Sequence, residues 1–153
     1  MYLLHVPLEA QQKSNTCWHA AALMIWYYSQ GKTGRAGPMN SLTDQWSKNN
    51  PIRPPEFIRL ARNVGLLPLA NTTHVSLSAS FLEEALKRHG PIWCAGYWYG
   101  VGHIIVLTGV ANDIVFLNDP DGGVRKIGSL SWFNNKLASE YTGCMMVKDP
   151  RRY

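Results

Sequence analysis

Gly102-His103-Ile104-Ile105-Val106-Leu107-Thr108-Gly109-Val110-Ala111-Asn112-Asp113-Ile114-Val115-Phe116-Leu117-Asn118-Asp119-Pro120 decides the fold class of this chain. Two runs rich in β-branched residues, His103–Val110 and Ile114–Leu117, flank Ala111-Asn112-Asp113, and that turn chemistry predicts a hairpin. Pro120-Asp121-Gly122-Gly123 supplies a second turn, and Val124–Ile127 a third strand of the meander. Upstream, Pro91–Trp98 reads as another strand. Cys144–Val147 reads as a closing one, after a short amphipathic helix at Leu130–Ala138. The C-terminal half is therefore expected to be an antiparallel sheet.

The N-terminal half has a different pattern. Tyr2–Leu8 reads as a short strand and Lys13-Ser14-Asn15 as a polar turn. The apolar segment Cys17–Tyr28 then makes a helix that Asn15 or Thr16 can cap, and Gly31, Gly34, Gly37 and Pro38 end it. Further helices are expected at Leu42–Ser47 and at Pro55–Asn63, with Gly65 at the exit of the latter. A fourth follows a Ser80/Glu83 capping box, carries Lys87-Arg88-His89 at its C-terminal end and closes at Gly90. Helices first and strands after is an α+β plan, expected as one domain over residues 1–153.

Composition bounds the function. With 153 residues, 46% apolar and 16% charged, the chain can bury a core without metals or disulfide staples. No apolar run approaches the roughly 20 residues of a membrane-spanning helix. The start, Met1-Tyr2-Leu3-Leu4-His5-Val6-Pro7, has no basic n-region, so synthesis in the cytoplasm without a cleavable signal is expected. The net charge of +5 is dispersed, with Arg151-Arg152 the one tight pair, and no basic stripe interleaved with aromatics argues for nucleic acid.

The three cysteines, Cys17, Cys94 and Cys144, are odd in number and form no C-x-x-C pair, so neither a disulfide framework nor a zinc site is expected. Cys17 alone has a polar approach, Gln11-Gln12-Lys13-Ser14-Asn15-Thr16, and falls at the first turn of a predicted helix. The thiolate is the nucleophilic form, and a helix N-terminus favours negative charge. Gln11, six residues upstream, is far enough away for its amide to swing back. With the Cys17 backbone N–H it would make a two-donor oxyanion hole.

A general base is supplied by His103, which follows Gly102 and opens the strand Ile104–Leu107. The returning strand ends in Asn118-Asp119, and a hairpin brings those ends together. Asp119 can orient the imidazole, and so can Asn118; alternation allows only one of them to face it. The other histidines lack such a setting: His19 points to a different side of the helix from Cys17, and His89 is explained as a helix-end cation. Six Trp and seven Tyr suggest a well-filled core or an aromatic-lined groove; Trp18 and Trp98 are substrate-binding candidates beside Tyr97 and Tyr99, and each of the four suits a core role equally well.

Gln11 with Cys17-Trp18, then Gly102-His103 opening an apolar strand, then Asn118-Asp119-Pro120, resembles the papain-like cysteine peptidase clan. The likeness extends to its compact bacterial branches: the effector proteases that plant pathogens inject into hosts, and the leader-peptide peptidase domains of bacteriocin exporters. Thr16 stands where the injected effectors usually carry Trp. The resemblance implies Cys17 as nucleophile, His103 as base, Asp119 as orienter and Gln11 as oxyanion donor, in a cleft between helices and sheet. It also implies a thioester mechanism on a protein or peptide substrate without metal or organic cofactor, and delivery as a secreted effector or toxin. A cognate immunity protein is expected if the target is a rival bacterium. The same site chemistry serves glutamine deamidation and peptidoglycan amide cleavage, and a catalytically inactive peptide-binding domain would keep the fold alone.

Overall fold

β3 (Ile92–Gly96) and β4 (His103–Ala111) are the central strands of a seven-stranded antiparallel sheet. The computed structural model describes every residue, Met1–Tyr153. All five residues of β3 are buried, and so are the seven inner residues of β4, which is why both read as continuous apolar runs. β4 pairs onward with β5 (Ile114–Asp119), and β5 with β6 (Val124–Ser129). On the other side β3 pairs with β7 (Met145–Lys148), and β7 with β2 (Leu66–Pro68). β1 (Tyr2–Leu3) lies beside the far end of β4, opposite Val110 and Gly109. A side chain at Gly109 would collide with the Tyr2 carbonyl 2.7 Å from its Cβ, so glycine is what admits β1 there.

The helices are α1 (Cys17–Thr33), α2 (Thr43–Ser47), α3 (Phe57–Val64, after a 3-10 turn at Pro54–Glu56), α4 (Ala79–His89) and α5 (Leu130–Lys136). α1 passes through Gly31 and closes only at Gly34, whose φ of 71° is the left-handed conformation glycine adopts freely. Its residues Trp18, Ala21, Met24 and Ile25 are fully enclosed. The Trp93 indole donates to the Trp18 carbonyl at 3.2 Å, which ties the first turn of α1 to β3. Phe57 of α3 meets Trp93 edge-on, with ring centroids 5.1 Å apart. One apolar cluster of 36 buried residues runs through these elements.

Two expectations are corrected in detail. The N-terminal strand stops at Leu3 because the chain beyond Leu4 gives its carbonyl to side chains instead: Val6 O accepts from Asn118 and Arg125. α4 is capped by Ser78, whose Oγ accepts from the Phe81 N–H at 3.1 Å, and not by Ser80. Asn134 of α5 grips both the N–H and the carbonyl of Leu77, and that contact fixes where the helix can begin. β2, for which the sequence gives no separate signal, pairs with β7 directly after the left-handed Gly65 that ends α3.

Candidate active site

The nucleophile candidate is set by the loop before α1. Lys13 N–H donates to Thr16 Oγ1, Thr16 Oγ1 donates back to Lys13 O at 3.1 Å, and the Trp18 indole donates to Asn15 O and Asn50 O. Asn15 is held further by Asn49, and the Lys13 ammonium lies 4.0 Å over the Trp46 ring. Cys17 is therefore the first helical residue on a braced loop, 8% exposed. Its backbone N–H, one of the orphan donors of the first turn, meets no acceptor in the chain. Cys94 and Cys144 are fully enclosed, and burial pushes both thiols up from their ordinary pKa, Cys94 well above it.

His103 is the first residue of β4 and Asp119 the last of β5. His103 Nε2 and Asp119 Oδ1 are 2.6 Å apart. Asp119 is fully buried, yet both of its oxygens are bonded: Oδ1 also accepts from the Asp121 N–H, and Oδ2 from Lys126 Nζ at 2.8 Å. Burial alone would push this carboxyl up, but the bonds from His103, Lys126 and the Asp121 N–H bring it down to about 2. Burial likewise opposes charge on the imidazole. The hydrogen bond to Asp119 and the interaction with the Cys17 thiol outweigh it and raise His103 from 6.5 to about 9. With Nε2 committed to Asp119, Nδ1 is the ring nitrogen left for the thiol.

The choice between Asn118 and Asp119 is made by one bulged residue. The Ala111↔Ile114 pairing continues regularly to Gly109↔Phe116, and then the register steps so that Leu107 faces Leu117 and Val106 faces Asn118. Thr108 is the residue left over. Directly paired residues share a face, so without the bulge His103 would have looked onto the face carrying Asn118. With it, His103, Asp119 and Lys126 share one face as diagonal neighbours on three strands. Asn118 turns to the other face, where its amide meets Val6 O and the Met24 sulfur.

Cys17 and His103 line the same cleft, of about 310 Å³, together with Ile52 and Phe57 from the helical side and Ala95, Gly96 and Tyr97 from the sheet side. Trp18 and Trp98 do not line it. Trp18 is fully enclosed under α1, and Trp98, 1% exposed, stacks on Phe133 at 5.2 Å. Both are structural, because rings of that size fill the core on either side of the site. Phe57, Tyr97 and Tyr141 supply the aromatic side chains at the cleft beside His103. Gln11 lies at the loop, but its Nε2 donates to Lys13 O and Ser14 O at 3.1 and 2.7 Å, and its Oε1 is buried without a partner. His19 stays apart from the cleft, its Nδ1 sharing a hydrogen with Ser41 Oγ. Sequence reasoning missed Lys126, for which the signal was its place on the alternate face of β6 that Asp119 shares.

A family model described as papain-like cysteine protease AvrRpt2 matches residues 2–138. The chain belongs to that family. It is accordingly a papain-like cysteine peptidase, with the α+β fold in which helices pack on an antiparallel sheet. Among solved structures it is similar to a double glycine motif protease from an AMS/PCAT transporter, crystallised in complex with the leader peptide. The identity is 19%, the TM-score 0.57, and the match covers 95% of this chain and 92% of that one. At that identity the likeness is one of fold. No curated protein matches the chain.

Proposed function

We propose that this peptidase cleaves peptide bonds through a thioester on Cys17, with His103 as proton carrier and Asp119 as its orienter. The observation that carries the reading is the buried Asp119–His103 pair at 2.6 Å, in a cleft that also presents Cys17. His103 takes the thiol proton at Nδ1, and the sulfur attacks the carbonyl carbon of the scissile bond. The orphan Cys17 N–H receives the oxyanion. Gln11 becomes the second donor once its amide turns away from the Ser14 carbonyl. The imidazolium passes its proton to the leaving nitrogen, and a water activated by His103 then hydrolyses the thioester, returning the thiol.

The apolar walls from Ile52, Phe57 and Ala95 suit an apolar side chain next to the scissile carbonyl. The complex of the structural neighbour with a peptide supports a peptide substrate for this chain too. The resemblance of both motifs to injected effector proteases supports delivery into a target cell by a specialised secretion system. With a rival bacterium as target, a cognate immunity protein that occludes the cleft goes with that role. The engaged His103–Asp119 pair speaks against a domain that only binds.

The test is a search for new protein termini after adding the enzyme to candidate target lysates, with Cys17→Ala as control. Termini that depend on Cys17 are expected. Their absence, with Cys17 still reactive, would move the reading to glutamine deamidation or peptidoglycan amide cleavage.

A further inference from the structure

The Asp119 carboxylate has two oxygens, and only one of them serves His103. The other is held by Lys126 Nζ at 2.8 Å, from the neighbouring strand β6. The ammonium in turn lies 4.3 Å over the ring of Tyr99, in the β3–β4 connection. Tyr99 continues the contact on both sides, its ring centroid 6.3 Å from that of His103 and 6.1 Å from that of Trp132 on α5. A lysine on a solvent-facing edge strand has no structural need for this arrangement, because 38% of its side chain remains exposed and water could solvate its charge. The ammonium instead sits between a fully buried carboxylate and an aromatic face.

We infer that Lys126, seated on Tyr99, is a positioning residue of the site: it fixes the rotation of the Asp119 carboxylate and sets the basicity of His103 by opposing the charge of Asp119. The inference rests on the Cys17–His103–Asp119 reading. A carboxylate with one free oxygen can rotate about its terminal bond and present either oxygen, or neither, to the imidazole. Pinning Oδ2 leaves Oδ1 aimed at Nε2. The charged and titratable groups facing the imidazole are Asp119 from β5, Cys17 from α1, Tyr99 from the β3–β4 connection and, through Asp119, Lys126 from β6. Three of these can favour the imidazolium or leave it unaffected, and Lys126 alone opposes it. Removing the ammonium therefore makes His103 harder to deprotonate, while loosening the carboxylate that aims it.

The test is the titration of His103 followed by NMR in labelled enzyme, together with kcat and KM on a cleaved peptide. The forms compared are wild type, Lys126→Met and Lys126→Arg. Lys126→Met should raise the His103 pKa by about half a unit or more. It should also lower kcat about tenfold with KM little changed, because the loss lies in alignment. Lys126→Arg should restore both values, since it keeps the charge and the donor. If Lys126→Met folds poorly, Lys126→Gln keeps a donor without the charge, and the same upward shift is expected. A His103 titration in Lys126→Met or Lys126→Gln that superimposes on wild type overturns the inference and leaves the catalytic reading intact. Failure of that reading looks different: wild-type His103 would titrate near 6.5, and Cys17→Ser would not move it.

Discussion

Cys17 stands on the first turn of a helix held by a polar loop, whereas His103 and Asp119 stand on two strands whose register is shifted by one residue. The helix side is local. Much of its geometry comes from hydrogen bonds among residues 11–18, with Trp46, Asn49, Asn50, Trp93 and Pro120 among the distant supports. The strand side is non-local, since the face on which Asp119 lies depends on the bulge at Thr108. The two sides also differ in charge. The loop leaves backbone donors unpaired at the thiol, and the hairpin surrounds a buried carboxylate with three donors. A nucleophile needs room to react, and an orienting group needs none. The difference shows which parts of the site should tolerate change.

Substitutions can break this contrast. Asp119→Asn should have the largest effect, a fall in kcat of about 10³-fold, because the amide cannot stabilise the imidazolium and leaves Lys126 facing a neutral group. Exchanging the two residues, Asn118→Asp with Asp119→Asn, should be equally inactive in steady-state assays. In the bulged register position 118 faces Val6 and Met24, so activity in the exchanged variant would show that the face assignment is wrong. Gln11→Ala should cost less, roughly 10²-fold in kcat/KM, in line with losing one oxyanion donor at ~2.7–4 kcal/mol. Its near-UV spectrum should change little if the loop is held by Thr16 and Asn15 as described.

The charged pair also makes stability depend on pH. His103 is raised to about 9, so the stabilisation it contributes is full below about 6.5 and is lost as pH rises through 9, up to about 3 kcal/mol. Asp119 is depressed to about 2, so its contribution is present above the ordinary carboxyl range and lost as pH falls through 2. Urea unfolding between pH 6.5 and 9.5 should show wild type losing stability over a window in which His103→Gln stays nearly flat. The smallest effect belongs to Asn118→Ala, which gives up buried hydrogen bonds and should cost about 1–2 kcal/mol while leaving turnover within a few-fold of wild type.

These contrasts also explain what could be read from the sequence. The loop and helix around Cys17 were legible because turn residues and an apolar run act over a few positions, but neither Asn15 nor Thr16 caps the helix: the Thr16 hydroxyl bonds Lys13 and the Asn15 amide bonds Asn49. The hairpin was legible for the same reason, from Asn112-Asp113 between two apolar strands. Strand alternation left Asn118 and Asp119 open as the group facing His103, because it predicts faces only in an unbroken register and nothing local marks Thr108 as the extra residue; the resemblance alone pointed to Asp119. Trp18 and Trp98 were misplaced because an aromatic residue beside a nucleophile or a turn carries the same local signal whether it points into a cleft or a core. Their burial is decided by Trp93, Asn50 and Phe133, which are far away in sequence. Lys126 was missed for a related reason, since its partner is identified only once β5 and β6 are in register.

With the cleft thiol activated by His103 and the other two thiols enclosed in the core, the three cysteines should differ sharply in reactivity. The direct measurement is iodoacetamide labelling of the folded protein near neutral pH, with the modified cysteines located by peptide mapping and the rate compared with His103→Ala. Rapid modification confined to Cys17 is expected, slowed at least tenfold in His103→Ala, with Cys94 and Cys144 unmodified until the protein unfolds. Labelling of Cys17 at the rate of a free thiol, unchanged in His103→Ala, would contradict it.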